Sequence, residues 1–329
     1  MFCLKKAVID IYGGDNGPEA IIKGSLNALQ LYPQLGVIFV GSRKLIEQFT
    51  KESERIEIIE TDDYISNDEN PQVIFSGREQ SSMVLSFSRL KNDENCIGML
   101  SSGSTGALLI GSIRHLGLIK GLRTPALSSD LPLYNGELVC LIDCGANISC
   151  TAHDLKRFAV MGNAFKECVN PEKVPRVALL SVGREPLKGN ELIKEAHTLI
   201  KELPINFIGN MEGSDLTTGY ADVVVADGFA GNIILKCAES TGLVAKGIVS
   251  EMAKRAGRED DELIQAIINH LNLSFNYNAR GGATFLGTEK TVIKMHGCAV
   301  EDTVVACIDQ LLRLEAAGFR EKIQKALEQ

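Results

Sequence analysis

Long apolar runs, paired cysteine motifs and an excess of positive charge are all missing from this 329-residue sequence. No apolar stretch reaches the roughly 20 residues that a helix needs to cross a bilayer. Strand-like sequence begins within a few residues of Met1, so we expect no signal peptide. The nine cysteines form no Cys-x-x-Cys pair and have no histidine at zinc-ligand spacing. We therefore expect reduced thiols in a cytoplasmic protein, with peripheral contact to a membrane left open.

The charge balance is acidic. Lys and Arg number 34 against 42 Asp and Glu, which gives a net charge of −8 and a pI of about 5.3. This balance argues against a nucleic-acid surface over the whole protein, although it is compatible with a local basic patch. A hydrophobic content of 45% indicates a folded protein with a large core. We expect one α/β domain over residues 1–329.

Fingerprints of nucleotide and metal enzymes are also missing. The sequence has no Gly-x4-Gly-Lys-Ser/Thr phosphate loop, no Gly-x-Gly-x-x-Gly after its first strand, no His-Glu-x-x-His and no Gly-x-Ser-x-Gly. We therefore expect neither a metal nor a cofactor, and a dehydrogenase is disfavoured. Aspartates do stand at predicted strand ends and in the loops after them, where caps and loop hydrogen bonds are commoner than metal binding. They are Asp10, Asp15, Asp143, Asp222 and Asp227.

One pattern recurs five times along the chain: a short apolar run, then a loop of Gly, Asn, Asp or Ser, then a helical periodicity. The runs end near Asp10, Leu100, Asp143, Leu180 and Asp227. Such alternation predicts a three-layer α/β/α fold with a largely parallel sheet. In such sheets, ligands bind at the carboxyl ends of the strands. We therefore expect these five loops to converge on one edge of the sheet.

The loop after the fourth run carries a lysine beside a predicted helix start. Asn190 precedes the apolar stripe of a helix from Glu191 and is placed to cap it. Lys188 and Gly189 then lie beside free amides and the positive end of the helix dipole, which favours an anion. An ordinary capped loop with a solvated lysine explains the same residues.

Residues 240–280 break the alternation. The patterns over 242–255 and 262–273 predict two helices with no strand between them, protruding from the sheet domain. Such a pair could pack a dimer, contact a membrane or dock a partner, and dimer packing is the default expectation. A basic patch for a carrier protein or a membrane, or else a solvated helix face, is formed by Lys246, Lys254, Arg255 and Arg258.

Short motifs, in order along nearly the whole chain, carry a resemblance to a known family. They include Asp10-x-x-Gly13-Gly14-Asp15, Ser81-Ser82-Met83, Gly103-x-Thr105-Gly106, Asp143-x-Gly145-Ala146-Asn147, Lys188-Gly189-Asn190, Asp227-Gly228-Phe229-x-Gly231-Asn232 and Lys294-x-His296-Gly297. Together they resemble the PlsX family of phosphate acyltransferases. That family is similar in fold to phosphotransacetylases and to the isocitrate/isopropylmalate dehydrogenase group.

The resemblance implies transfer of a long-chain fatty acyl group from acyl carrier protein to inorganic phosphate. The product, acyl phosphate, serves phospholipid synthesis through a downstream glycerol-3-phosphate acyltransferase. The resemblance also implies a homodimer and loose attachment to the inner membrane face through the helical pair. Transfer from acyl-coenzyme A, as in phosphotransacetylases, is an alternative, and an inactive scaffold that binds phosphate or acyl ligands is another.

The resemblance also suggests a role for each matching residue. Lys188 polarises the thioester oxygen, while Asn232 and backbone amides near Gly231 and Gly106 hold phosphate. Asn190 and Asn147 orient these groups, and His296 contributes a hydrogen bond. No covalent serine or cysteine intermediate is required. Further substrate-binding or phosphate-binding positions are Asp10, Gly13, Gly14, Ser81, Ser82, Gly103, Ser104, Thr105 and Asp143.

The sequence departs from the family pattern at several of these motifs. Only Arg78 keeps a positive charge before Ser81, where the family carries consecutive lysines. The other departures are Tyr12, Ser104, Arg184, Glu185 and Cys298.

Overall fold

A computed structural model describes residues 4–133, 135–275 and 281–328. The strands of this part of the chain form one continuous sheet in the order β3-β2-β1-β4-β11-β10-β5-β6-β9-β7-β8. They are β1 (Lys5–Asp10), β2 (Leu35–Gly41), β3 (Ile56–Glu60), β4 (Cys96–Ser101), β5 (Ala126–Pro132), β6 (Leu138–Ile142), β7 (Val177–Leu180), β8 (Phe207–Met211), β9 (Val223–Val225), β10 (Ala283–Leu286) and β11 (Thr291–Lys294).

Helices cover both faces of the sheet and give the three layers that the sequence predicts. Alternate side chains of β1 show the division, because Val8 packs into one hydrophobic cluster and Ala7 and Ile9 into another. The helices are α1 (Gly17–Leu31), α2 (Arg43–Ile46), α3 (Ser82–Asn92), α4 (Thr105–Gly111), α5 (Ala152–Val169), α6 (Glu191–Lys201), α7 (Gly228–Arg255), α8 (Glu262–Phe275), α9 (Glu301–Ala316) and α10 (Phe319–Leu327).

The sheet has two parallel halves that run in opposite directions. Strands β3, β2, β1, β4 and β11 are parallel to one another, and so are β6, β9, β7 and β8. Strands β10 and β5 join the halves through three antiparallel pairings. The prediction that all five loops leave one sheet edge is therefore wrong, because the loops of the two halves point towards each other.

An offset along β5 nevertheless brings these loops together. Residues 126–128 of β5 pair with β10, whereas residues 128–132 pair with β6. Ser128 faces Thr284 on one side and Ile142 on the other, and Ala283 faces Lys294. The carboxyl end of β6 therefore lies level with the carboxyl end of β11. Loops from both halves meet at this step in the sheet.

The helical pair after residue 240 is observed, with a different start. A single 28-residue helix, α7, runs from Gly228 to Arg255 and so begins well before the predicted start at residue 242, and α8 follows it. Residues 276–280 of the predicted protrusion lie outside the described part of the chain. Near the carboxyl terminus, two helices follow β11, because Gly318 adopts a left-handed φ of 62° between α9 and α10. Among the described helices, none has the length and apolar character needed to span a membrane.

Candidate active site

A cavity of about 360 Å³ lies at the step between the two halves of the sheet. This volume falls within the range of small-molecule sites. Three of the residues predicted from sequence line it, namely Thr105, Asn232 and His296. Residues not singled out as site residues complete the polar lining: Ser129, Cys144, Gly145, Lys236, Lys294 and Gly297. Loops after β4, β6, β9 and β11 thus contribute to one site.

The glycine-rich loop after β4 ends at the N-terminus of α4. Ser104 caps this helix, since its Oγ accepts from the amide of Ala107 at 3.5 Å. Ser is among the residue types best suited to cap a helix N-terminus. The amides of Thr105 and Gly106 are at the first two helical positions, where helix geometry supplies no carbonyl partner. Because Thr105 lines the cavity, the positive end of α4 lies at its wall.

The loop after β6 is organised by the buried carboxylate of Asp143. One oxygen accepts from the amides of Leu127, Gly145 and Ala146 at 3.0 to 3.1 Å. The other accepts from the backbone and side-chain nitrogens of Asn147, both at 2.7 Å. Five donors therefore occupy this carboxylate, and it shapes the wall of the cavity instead of facing a ligand.

Asn147 is held equally firmly. Its side-chain nitrogen also donates to Pro125 at 2.8 Å, and its side-chain oxygen accepts from the hydroxyl of Thr124. Its carbonyl oxygen accepts from the amide of Gly228 at the start of α7. The residue thus joins the loop after β6 to the helix that carries Asn232.

Asn232 reaches the cavity because α7 begins very close to the loop after β6. Asp227 caps α7 by accepting from Ala230 at 2.8 Å. A Cβ at Gly231 would lie 1.9 Å from the carbonyl oxygen of Asp143, so only glycine permits this approach. As a result, the side-chain oxygen of Asn232 lies about 3.4 Å from the position of a Cβ on Gly145.

The cavity is lined on its β11 side by Lys294 and His296. Lys294 is partly buried and donates from Nζ to Ser102 O at 3.1 Å and to Met295 O at 2.5 Å. Burial lowers the pKa of Lys294 to about 8. Burial also lowers the pKa of His296, which makes its imidazole neutral at pH 7. Lys294 belongs to the Lys294-x-His296-Gly297 motif, but no role was assigned to it from the sequence.

The thiol of Cys144 lines the cavity without the properties of a nucleophile. It donates to Leu127 O at 3.1 Å, and burial beside Asp143 raises its pKa well above the ordinary value.

For the acyl transfer that the resemblance implies, we expect Cys144→Ala to keep the rate to within about threefold, because a buried, protonated thiol takes no part in the reaction. A threefold change corresponds to about 0.65 kcal/mol of activation free energy. The check is the initial rate of the variant at saturating phosphate. A hundredfold loss in a protein that unfolds at the wild-type temperature would contradict this expectation and favour a covalent cysteine intermediate.

Lys188 and Asn190 lie outside the cavity, on the loop after β7. Lys188 is exposed, and Asn190 caps α6 as predicted by accepting from the amide of Ile193 at 3.0 Å. The loop is fixed at two further points. Arg184 forms a bidentate ion pair with Asp215 and lies over the ring of Tyr220 at 5.0 Å, and Asn210 donates to Glu185 O at 2.9 Å.

A second group of predicted residues lies at the ends of β1 and β4. Asp10 is buried and accepts from the hydroxyl of Ser101 at 2.8 Å and from the amide of Tyr12 at 3.2 Å. Burial raises its pKa, and these hydrogen bonds oppose the rise. A Cβ at Gly13 would lie 2.5 Å from Gly103 Cα, so the two loops pack backbone to backbone. Also in this group, but not lining the cavity, are Gly14, Ser81 and Ser82.

Two departures from the family pattern are built into this neighbourhood. Arg78 pairs with Asp63 at 2.8 Å and with Glu69, so its positive charge is neutralised within the chain. The hydroxyl of Tyr12 accepts from the amide of Ser42 at 3.0 Å, and its ring stacks on Tyr64 at 4.8 Å. Arg78 therefore does not supply the net positive charge that the consecutive lysines of the family pattern would carry before Ser81.

A larger cavity, about 520 Å³, lies at the opposite ends of β4 and β11. Its lining includes Lys290, Thr291, Ile97 and Arg320 and contains none of the residues predicted for the site. Size alone would favour this cavity, but the convergence of four strand-end loops favours the smaller one.

Comparison with known proteins identifies the family of the chain. The family described as fatty acid synthesis protein matches residues 5–322. A phosphate acyltransferase of Bacillus cereus (strain AH820) is 36% identical over 325 residues, covering 98% of both chains. A phosphate acyltransferase of Bacillus thuringiensis subsp. konkukian is equally similar. The chain belongs to the phosphate acyltransferase family. The resemblance seen in its motifs is thereby confirmed, and the chain is an acyltransferase.

Solved structures place the fold of this acyltransferase among the phosphotransacetylases. A phosphotransacetylase from Streptococcus pyogenes aligns with a TM-score of 0.65 and 16% identity, covering 95% of this chain and 96% of that one. A branched-chain phosphotransacylase from Enterococcus faecalis V583 aligns with a TM-score of 0.60 and 15% identity, covering 93% and 98%. At these identities the likeness concerns the fold alone, and it confirms the predicted fold group.

Proposed function

We propose that this chain transfers a long-chain fatty acyl group from acyl carrier protein to inorganic phosphate in the 360 Å³ cavity. The observation that carries the proposal is the lining of the cavity. It combines the N-terminus of α4, the amide of Asn232, a neutral imidazole and two lysines at one step in the sheet. Such a lining suits a small, strongly charged anion.

The reaction needs phosphate near a thioester carbonyl. A phosphate oxygen attacks the carbonyl carbon, a C–O bond forms and the C–S bond breaks. The proton of hydrogen phosphate passes to the departing thiolate, which leaves as the thiol. Positioning and stabilisation of the developing oxyanion supply the acceleration.

Roles follow from where each residue lies. Asn232 and the amides at the start of α4 hold phosphate inside the cavity, while His296 donates or accepts a hydrogen bond without carrying charge. Lys188, exposed on an anchored loop, polarises the carbonyl of a thioester that arrives from solvent on its carrier. Asn190 and Asn147 act by fixing their loops.

A long-chain donor is supported by apolar side chains beside Asn232. Phe229 is 61% exposed and Ile233 is 47% exposed on the first turns of α7. Further along the helical pair, other large apolar side chains are exposed, namely Leu243, Val244, Ile248, Met252 and Leu263. Such a surface supports a homodimer through this pair and peripheral contact with the inner membrane face of a cytoplasmic protein. Acyl phosphate would then be made near a membrane-bound glycerol-3-phosphate acyltransferase.

The test is acyl-phosphate formation from palmitoyl-acyl carrier protein and phosphate, trapped with hydroxylamine. We expect product from the wild type and at least about a hundredfold less from Lys188→Ala, equivalent to about 2.7 kcal/mol of transition-state stabilisation. Lys194→Ala is the matched control, because Lys194 is partly exposed on the helix that Lys188 precedes and pairs with Glu191. Its rate should equal that of the wild type.

Other outcomes separate the alternatives. Product from palmitoyl-coenzyme A but not from the carrier protein would favour the phosphotransacetylase-like donor, as the neutralised Arg78 does. No product from either donor would favour the inactive scaffold. Full activity in Lys188→Ala would remove Lys188 from the site.

A further inference from the structure

We propose that Lys294 is the cation that binds inorganic phosphate in the 360 Å³ cavity and neutralises its charge. This role deepens the proposed function and rests on it, since phosphate is taken as the ligand of that cavity. No other charged side chain of the lining is as closely built into the sheet. Lys236, the other lysine, is on α7 with 60% of its side chain exposed and pairs with Glu239.

A lysine stands at each end of β11, and comparing the two separates a structural role from a role in anion binding. Lys290 precedes β11 and donates to Cys96 O, at the start of β4, at 2.8 Å. Lys294 ends β11 and donates to Ser102 O, just after β4, at 3.1 Å. Both are partly buried, and both fasten β11 to its parallel neighbour. They differ in the cavity that each lines, because only Lys294 faces the convergent loops.

The hydrogen bonds of Lys294 leave it able to bind an anion. An ammonium group has three donors and no acceptor, and carbonyls of Ser102 and Met295 take two of them. Those bonds fix the nitrogen between the glycine-rich loop and the His296 loop. A tetrahedral oxyanion beside Asn232, which lines the same cavity, can accept the third.

The charges around Lys294 support the same role. The groups that act on it from the surrounding elements are Asp15 after β1, Lys236 on α7, His296 and Cys298 after β11, and Cys307 on α9. Burial lowers the pKa of Lys294 to about 8, although Asp15 opposes the change. The protein thus keeps a positive charge in a partly buried site where an arriving dianion would stabilise it.

The test measures phosphate binding by titration calorimetry without an acyl donor, and then steady-state kinetics. We expect Lys294→Met to raise the Kd and KM for phosphate at least about tenfold. Its KM for the acyl donor should not change. Lys294→Arg, which keeps the charge, should retain most of the affinity. Lys290→Met, which removes the equivalent tie at the other end of β11, should bind phosphate as the wild type does.

Three results would overturn the inference. One is unchanged phosphate affinity in folded Lys294→Met. Another is loss of phosphate binding in Lys290→Met instead, which would place the anion in the larger cavity. The third is acyl-phosphate formation by Lys294→Met with a wild-type KM for phosphate, which would leave the proposed function standing. Phosphate binding that depends on Lys294, in a wild type that makes no acyl phosphate, would leave the inference standing and remove the proposed function.

If Lys294→Met does not fold, the pH dependence of phosphate binding by the wild-type protein tests the same inference. Above about pH 8 the neutral amine loses its attraction for the anion, so the Kd for phosphate should rise by up to about tenfold per pH unit. Burial places the pKa of His296 lower and that of Cys307 higher than this window. Lys294→Arg should show a flat Kd, since arginine stays charged, and an equal rise in both proteins would assign the effect to another group.

Discussion

Gly231→Ala is expected to lower kcat/KM by more than about a hundredfold, because a displacement of 1 Å in an active site can cost that much. The added Cβ would lie 1.9 Å from the carbonyl oxygen of Asp143 and 2.9 Å from its carbonyl carbon. Neither atom can yield, since both are backbone and the Asp143 loop is fixed by five hydrogen bonds. The first turn of α7 must therefore retreat and carry Asn232 away from Gly145. We also expect the free energy of unfolding to fall by about 3 kcal/mol.

Gly247→Ala is the control on the same helix. Nothing lies within 4 Å of a Cβ at Gly247, so the change replaces a poor helix former with a good one. It should raise stability by up to about 1 kcal/mol and leave kcat/KM unchanged. Calorimetric melting and hydroxamate trapping measure the two quantities in parallel. If Gly231→Ala kept wild-type kinetics, the close approach of α7 to the Asp143 loop would not be needed to position Asn232 for catalysis.

Asp143→Asn should reduce the free energy of unfolding by about 3 to 5 kcal/mol, as when a buried charge network loses one member. The carboxylate accepts hydrogen bonds at both oxygens, three at one and two at the other. Whichever way the amide turns, its NH2 group faces at least two N–H donors. Those donors stay buried without an acceptor, which costs roughly 1 to 3 kcal/mol each.

Asp154→Asn tests whether any Asp-to-Asn change would do the same. Asp154 completes the capping box of α5 with Thr151 and is only partly buried. Its replacement should cost about 1 kcal/mol. Urea unfolding at constant m-value gives both numbers. Equal losses in the two variants would mean that the five hydrogen bonds of Asp143 contribute little.

Local sequence was enough to predict the units that build the site. Thr105 and His296 follow β4 and β11, which are parallel neighbours, so their proximity agrees with the expected convergence. Asn232 follows β9 of the opposite half and reaches them only through the step at β5, which the sequence did not predict. Asn190 was identified as a cap from its place before an apolar stripe, and it is one. The side chains of Asp143 and Asn147, by contrast, form hydrogen bonds within and between loops. Motif spacing in the sequence does not predict these bonds.

The joining strands were beyond sequence reasoning for a physical reason. Strand β5 reads Ala-Leu-Ser-Ser-Asp-Leu-Pro, with neither an apolar run nor a clean alternation, yet it is almost fully buried between β10 and β6. Its burial comes from position in the sheet and not from its own composition. Because β5 and β10 were missed, so was the reversal between the halves. Lys294 was missed for a related reason, since its environment is made by β4 and α7, which are distant in sequence.

The order of strands in the sheet has a consequence during synthesis on the ribosome. Strands β11 and β10 are the last to be made, yet they lie in the middle of the sheet, between β4 and β5. Until Lys294 has emerged, the nascent chain holds two separate sets of strands, each with an open edge that can pair wrongly. The cavity draws on residues from Thr105 to Gly297, so it closes only when those edges are joined. We therefore expect a chain that stops before β10 to lack the complete cavity and to be prone to aggregate.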